Sequence, residues 1–118
     1  MDERLAKALD FSNYMVTLNN QKRIIREKYN ENLLYFFDGC QFTITRELIT
    51  FVNIMTTATS PDSVVITDDN GIPAKITNIS EFYNNIIEVY KSASDNYHAH
   101  YELLKSNRRV ERLVNHDI

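Results

Sequence analysis

The sequence contains few of the residues that interrupt or cross-link a chain. Its 118 residues include one cysteine, two glycines, two prolines and no tryptophan. A single cysteine excludes an intrachain disulfide and suits a reducing compartment. Two isolated glycines exclude the glycine-rich loops that hold phosphate groups in many nucleotide-binding enzymes.

Long apolar runs are missing as well. No stretch approaches the ~18 consecutive apolar residues that a membrane-spanning helix needs. The first five residues, Met-Asp-Glu-Arg-Leu, lack the basic-then-apolar order of a signal peptide. The sequence therefore predicts a non-secreted, cytoplasmic protein that does not act on a membrane.

Length and charge predict one folded domain with a tail of different character. A chain of 118 residues, 43% hydrophobic and 25% charged, matches a single globular domain. Its net charge of −3 is uneven, because residues 40–104 contain three basic and eight acidic side chains, whereas residues 105–118 contain four and two. We predict one α+β domain over residues 1–104, followed by a basic C-terminal tail over residues 105–118.

Two long helices are predicted at the two ends of that domain. Residues 2–37 contain no proline or glycine, apolar residues recur there at helical spacing, and Asp38 with Gly39 would end the helix. Such a helix is about 54 Å long, too long for a compact domain whose radius of gyration is near 13 Å. We expect it to pair antiparallel with the last helix and to leave apolar length for another subunit. The last helix would begin after Asn78, with an apolar stripe formed by Ile79, Phe82, Ile86, Tyr90, Ala93, Tyr97, Tyr101 and Leu104.

The middle of the chain predicts a short helix between strands. Alternating residues over 40–45 are typical of a half-buried strand, and Thr45 would cap a helix over residues 46–57. That helix has more apolar residues than one stripe needs, so we expect it to be buried on more than one side.

A hairpin is predicted over residues 63–77, with Gly71 at the positive φ of a three-residue loop. This loop would pair Ile66 with Ala74 and Val64 with Ile76 on one apolar face. The predicted fold class is α+β: two long antiparallel helices, a short middle helix and a small three-stranded antiparallel sheet.

No residue pattern indicates catalysis or a bound metal. The run Asp-Asp-Asn-Gly at 68–71 has the composition of a calcium loop. With Gly71 at the sixth position, where such loops need glycine, Ile66 occupies the first ligand position and offers no side-chain oxygen. His98 and His100 would point about 200° apart on a helix and would not share an ion. Cys40 lies on the apolar side of its predicted strand, which favours a core thiol over a nucleophile. We therefore predict no catalytic, cofactor-binding or metal-binding residues, and no enzymatic activity.

Binding residues are expected on the last helix and in the tail. Four tyrosines lie on or near one side of that helix and would form either part of the core or an oligomer interface: Tyr83, Tyr90, Tyr97 and Tyr101. The tail is either a solvated helix end or a partner-binding segment, and its candidate contacts are Lys105, Arg108, Arg109, Val110, Arg112, Leu113 and Val114.

Three stretches resemble a family of short uncharacterised proteins from contractile-tailed phages that infect marine cyanobacteria. They are LDFSNYMVTLNNQKR at 9–23, FTITRELITFV at 42–52 and LKSNRRVERLV at 104–114. The resemblance covers nearly the whole chain, but none of these stretches is a chemical signature. It implies expression in the cytoplasm of an infected bacterium, and it implies no activity or site residues.

These observations favour a protein-interaction or assembly module that forms a homo-oligomer and docks on a protein partner without a cofactor. The alternative is a nucleic-acid-associated regulator that uses the basic C-terminal tail. An enzyme ranks third.

Overall fold

The computed structural model describes the backbone of residues 2–58 and 63–116, and the side chains of residues 2–58 and 63–107. The elements in chain order are α1 (Glu3–Asn32), β1 (Leu34–Phe37), β2 (Cys40–Thr43), α2 (Arg46–Ala58), β3 (Val64–Thr67), β4 (Pro73–Ile76) and α3 (Ile79–His116). The prediction of a mixed α and β chain is confirmed. Within the described ranges no helix combines the length and the apolar character needed to cross a membrane.

The predicted three-stranded sheet is wrong. The described strands form two separate two-stranded antiparallel sheets, β1 with β2 and β3 with β4. The difference arises after α1. This helix ends at Asn32 instead of residue 37, and Leu34–Phe37 forms a strand. Asp38 and Gly39 have φ angles of 49° and 78°, so they form a two-residue hairpin turn instead of a helix cap.

The second hairpin is confirmed in its register. Val64 pairs with Ile76 and Ile66 pairs with Ala74, as a three-residue loop requires. Gly71 has a φ of 76°, and its N–H donates to the carbonyl of Asp68 over 3.0 Å.

Side-chain caps begin the two later helices where the sequence predicts them. The hydroxyl of Thr45 accepts from the N–H of Leu48 over 3.1 Å, and the side-chain oxygen of Asn78 accepts from the N–H of Glu81 over 3.1 Å. Each bond satisfies one of the free N–H groups of a first helical turn. The helices therefore begin at Arg46 and Ile79.

The chain divides into two compact units. Unit 1 comprises Met1–Lys28 and Asn96–Ile118, and unit 2 comprises Tyr29–Asp95. In unit 1 the buried apolar residues with described side chains are Leu18 and Leu104. The core of unit 2 is formed by Leu33, Cys40, Phe42, Ile44, Val52, Ile66, Ala74, Ile76, Ile79, Phe82, Ile86 and Ala93.

Candidate functional site: an apolar surface on α2 and α3

The outer side of α2 exposes large apolar side chains. Val52 is buried in the core of unit 2, whereas Phe51 and Ile54 remain 42% and 52% exposed. Our expectation that α2 is buried on more than one side is therefore wrong at these two positions. They lie in a surface depression of about 580 Å³, the α2 face, whose lining is Arg46, Glu47, Thr50, Phe51 and Ile54.

A groove of about 390 Å³ adjoins this face. We call it the α2–α3 groove, because three residues of each helix line it: Arg46, Ile49 and Thr50 from α2, and Ile87, Tyr90 and Lys91 from α3. The depression and the groove share Arg46 and Thr50, so they form one continuous surface within unit 2.

The groove contains two positive charges, those of Arg46 and Lys91. Side-chain ion pairs among the described residues join Glu102 to His98 and to Lys105, and neither Arg46 nor Lys91 forms one. Residues 29–95 contain three basic and nine acidic side chains, and two of the three basic ones line this groove. The groove is therefore a basic site on an otherwise acidic unit.

The floor of the groove offers mainly apolar contact. Ile49 and Tyr90 are half-buried against the core, and Ile87 is exposed. The hydroxyl of Thr50 donates its hydrogen bond to the carbonyl of Arg46 over 2.9 Å. Such a surface can bind an apolar group beside a negative charge.

The two aspartates of the second hairpin loop bind the backbone and side chains of β2. The Asp68 carboxylate accepts from the N–H groups of Gln41, Asn70 and Ile72 at 3.1, 2.9 and 2.7 Å. Asp69 accepts from the N–H and the hydroxyl of Thr43 at 3.1 and 2.6 Å. These oxygens already have hydrogen-bond donors, so the run at 68–71 serves as a structural loop.

These hydrogen bonds change the acidity of both carboxyls. Burial acts to raise the pKa of Asp68, but the N–H groups of Ile72, Gln41 and Asn70 outweigh it and hold the pKa below its ordinary value. Burial likewise acts to raise the pKa of Asp69, and the donors on Thr43 and Gln41 bring it below the ordinary value. Both groups are therefore stabilised as carboxylates.

Cys40 lies in the core of unit 2, as the alternation of its strand predicts. Burial raises the pKa of its thiol, and the negative charges of Asp68 and Asp38 raise it further. A nucleophilic cysteine needs the opposite conditions, a positive and accessible setting that lowers its pKa.

The histidines make local contacts on α3. His98 Nε2 lies 3.6 Å from a carboxylate oxygen of Glu102, and His100 Nδ1 lies 2.8 Å from the carbonyl oxygen of Asn96. Among the residues that the structure describes, no cluster of three or more His, Cys, Asp or Glu side chains could hold a metal ion.

The four predicted interface tyrosines fall into both units. Tyr83 and Tyr90 lie in unit 2, where they are half-buried and pack against its core. Tyr97 and Tyr101 lie in unit 1 and are half-buried. Tyr90 also lines the α2–α3 groove, which links one of the predicted interface residues to the candidate site.

One predicted partner-binding residue of the tail has a described side chain. Lys105 Nζ lies 3.4 Å from Glu102 Oε1 and 5.8 Å from the centre of the Tyr101 ring. The remaining candidates lie outside the described side chains: Arg108, Arg109, Val110, Arg112, Leu113 and Val114. Their binding role stays a prediction.

Sequence reasoning did not identify the α2–α3 groove. The available signal was the excess of apolar residues in α2, which we attributed to burial instead of exposure. A second signal was the scarcity of basic residues between 40 and 104, which makes the position of each one informative. Neither feature of the sequence predicts that α2 lies beside the segment of α3 around Ile87 and Lys91.

Comparison with known proteins adds no relative. The chain matches no protein-family model, and searches of curated proteins and of solved structures give no significant match.

Proposed function

We propose that this chain is a non-catalytic protein-interaction module that associates with copies of itself through its helices and docks on a protein partner. The observation that supports self-association is the exposure of large apolar side chains along α1. Leu5, Leu9 and Val16 are 53%, 46% and 56% exposed. Exposed apolar groups that share one surface favour an interface, whereas isolated ones are ordinary.

These three residues share one side of α1. At 100° per residue their directions differ by about 40° at most, so they form a stripe that we call the Leu5 face. Leu18, the buried residue of α1, points to a different side of the helix. A second copy of the chain would remove the Leu5 face from water.

Several further elements belong to the same proposal. The long helices α1 and α3 would pair antiparallel, and the interface would extend to the predicted tyrosines. The basic tail would dock on a protein partner. The resemblance to phage proteins implies that this assembly would form in the cytoplasm of an infected bacterium.

Self-association is tested by light scattering coupled to gel filtration at micromolar concentration. We expect a mass of at least twice the 13.8 kDa of one chain. The double variant Leu5→Glu with Leu9→Glu should shift the mass toward that of one chain, because paired interfaces do not tolerate buried unpaired carboxylates.

The matched control adds the same charge elsewhere on α1, at the exposed positions Thr17 and Gln21. Thr17→Glu with Gln21→Glu should keep the mass of the parent protein. A mass of one chain for the parent across the whole concentration range would refute self-association, and equal effects of both double variants would refute the Leu5 face.

Docking through the tail is tested separately by pull-down of partners. We expect Leu113→Ala with Val114→Ala to reduce partner capture at least about tenfold, because apolar anchors dominate protein interfaces. Circular dichroism should show unchanged helix content. Capture that persists in this variant, together with salt-sensitive binding to DNA or RNA that tolerates Arg→Lys at 108, 109 and 112, would support the nucleic-acid alternative instead.

A further inference from the structure

We propose that the α2–α3 groove, together with the adjoining α2 face, binds an acidic amphipathic helix of a protein partner. This inference rests on the proposed role in protein binding and does not depend on self-association. The expected ligand is a helical segment of the partner with apolar side chains on one side and carboxylates beside them.

The apolar part of the surface fits the side of a helix. Phe51 and Ile54 are one helical turn apart on α2, and Ile49 and Ile87 extend the apolar contact into the groove. A bound helix meets such a groove with residues spaced three, four and seven apart. The two adjoining depressions, of about 580 and 390 Å³, are shallow and open, so they suit contact along the side of a helix.

The charge selects an acidic occupant. Arg46 on α2 and Lys91 on α3 both line the groove, and neither forms an ion pair with a described residue. An approaching carboxylate therefore meets two available cations without having to displace an existing partner. Glu47 lines the α2 face but not the groove, so the carboxylates of a bound helix would lie over the groove and its apolar side chains over Phe51 and Ile54.

The same charge argues against the other occupants. The C-terminal tail, with four basic and two acidic residues over 105–118, would be repelled by Arg46 and Lys91. A nucleic acid would meet only two cations, and the floor between them is mainly apolar. Phosphate recognition relies on several cations and polar donors.

The experiment uses the full-length protein and a matched pair of helical peptides of about 18 residues, roughly 27 Å long. Both have the same leucine face, and their polar faces contain glutamate in one peptide and lysine in the other. Binding is measured by fluorescence anisotropy, and a single-stranded oligonucleotide serves as a third probe. We expect the glutamate peptide to bind about tenfold more tightly than the lysine peptide, with a preference that weakens at high salt.

Variants locate the binding site. Arg46→Glu with Lys91→Glu should reverse the preference between the two peptides, and Phe51→Ala with Ile54→Ala should weaken both at least about fivefold. Lys75→Glu is the control for a charge reversal outside the groove, and it is compared with Arg46→Glu alone and Lys91→Glu alone, since Lys75 is the third cation of residues 29–95 and is exposed. It should leave the preference for the glutamate peptide in place.

Three results would overturn the inference. They are equal binding of both peptides, binding of neither peptide, or a reversal of the peptide preference by Lys75→Glu as well. Oligonucleotide binding that depends on Arg46 and Lys91 would assign the groove to nucleic acid instead. The outcome is distinguishable from a failure of self-association, because the mass of the protein is measured independently. A monomeric protein that prefers the glutamate peptide would support the groove and refute the oligomer.

Discussion

Replacing Phe82 with alanine is expected to destabilise unit 2 by roughly 3–5 kcal/mol, the range typical of removing a buried phenylalanine. The Phe82 side chain is 2% exposed. Its ring meets those of Tyr35, Phe37 and Phe42 edge-on, with centroid distances of 5.8, 5.6 and 5.5 Å. Such aromatic pairs add to the free energy of burial, and the substitution would leave a cavity at their centre.

Urea denaturation followed by circular dichroism measures this loss of stability. Phe51→Ala is the control, because it removes the same ring from the exposed α2 face. Because Phe51 is 42% exposed, its loss should cost clearly less than that of Phe82, roughly 1–2 kcal/mol. Equal losses for both variants would contradict the assignment of Phe82 to the core and of Phe51 to the surface.

The substitution Asp68→Asn is expected to lower the melting temperature by on the order of 10 °C, because at least one buried backbone N–H would lose its hydrogen-bond acceptor. Both oxygens of Asp68 accept hydrogen bonds from backbone N–H groups of Gln41, Asn70 and Ile72. An asparagine would place an NH₂ group opposite at least one of these donors. Asp95→Asn, at an exposed position on α3, should change the melting temperature little.

The pH dependence follows from the direction of the two pKa shifts. The folded protein holds the pKa values of Asp68 and Asp69 below the ordinary value of 3.8. Their contribution to stability is therefore fully present well above pH 3.8 and is lost as the pH falls through 3.8 toward the lower folded values. Melting temperatures measured between pH 6 and about pH 2.5 should fall less for Asp68→Asn than for the parent protein. Parallel curves would contradict the role assigned to Asp68.

The second hairpin and the starts of the two later helices were predictable from sequence, because each depends on neighbouring residues. Gly71 supplies the positive φ that the loop needs, and this fixes which residues of β3 and β4 face each other. Thr45 and Asn78 cap α2 and α3 through hydrogen bonds that span three residues. Local geometry is sufficient for such features.

The first hairpin was not predictable in this way. Leu33 to Phe37 is a run of apolar and aromatic residues that continues a helical stripe and also suits a buried strand, so periodicity cannot separate the two. Asp38-Gly39 is equally compatible with a helix end and with a two-residue hairpin turn. The strand is favoured in the folded protein because Tyr35 and Phe37 pack on Phe82, a residue distant in the chain.

The sequence by itself determined the mixed α and β class, the helix starts, the register of the second hairpin and the core position of Cys40, since all of these follow from short-range spacing and residue type. Only the tertiary structure decided that β2 pairs with β1 and has its other edge bound by Asp68 and Asp69, 26 to 28 residues away. It alone also brought Arg46 and Lys91 to one groove. Side-chain contacts between distant segments depend on how the elements pack. A periodic pattern indicates which side of an element is apolar, but it does not indicate which other element packs against that side.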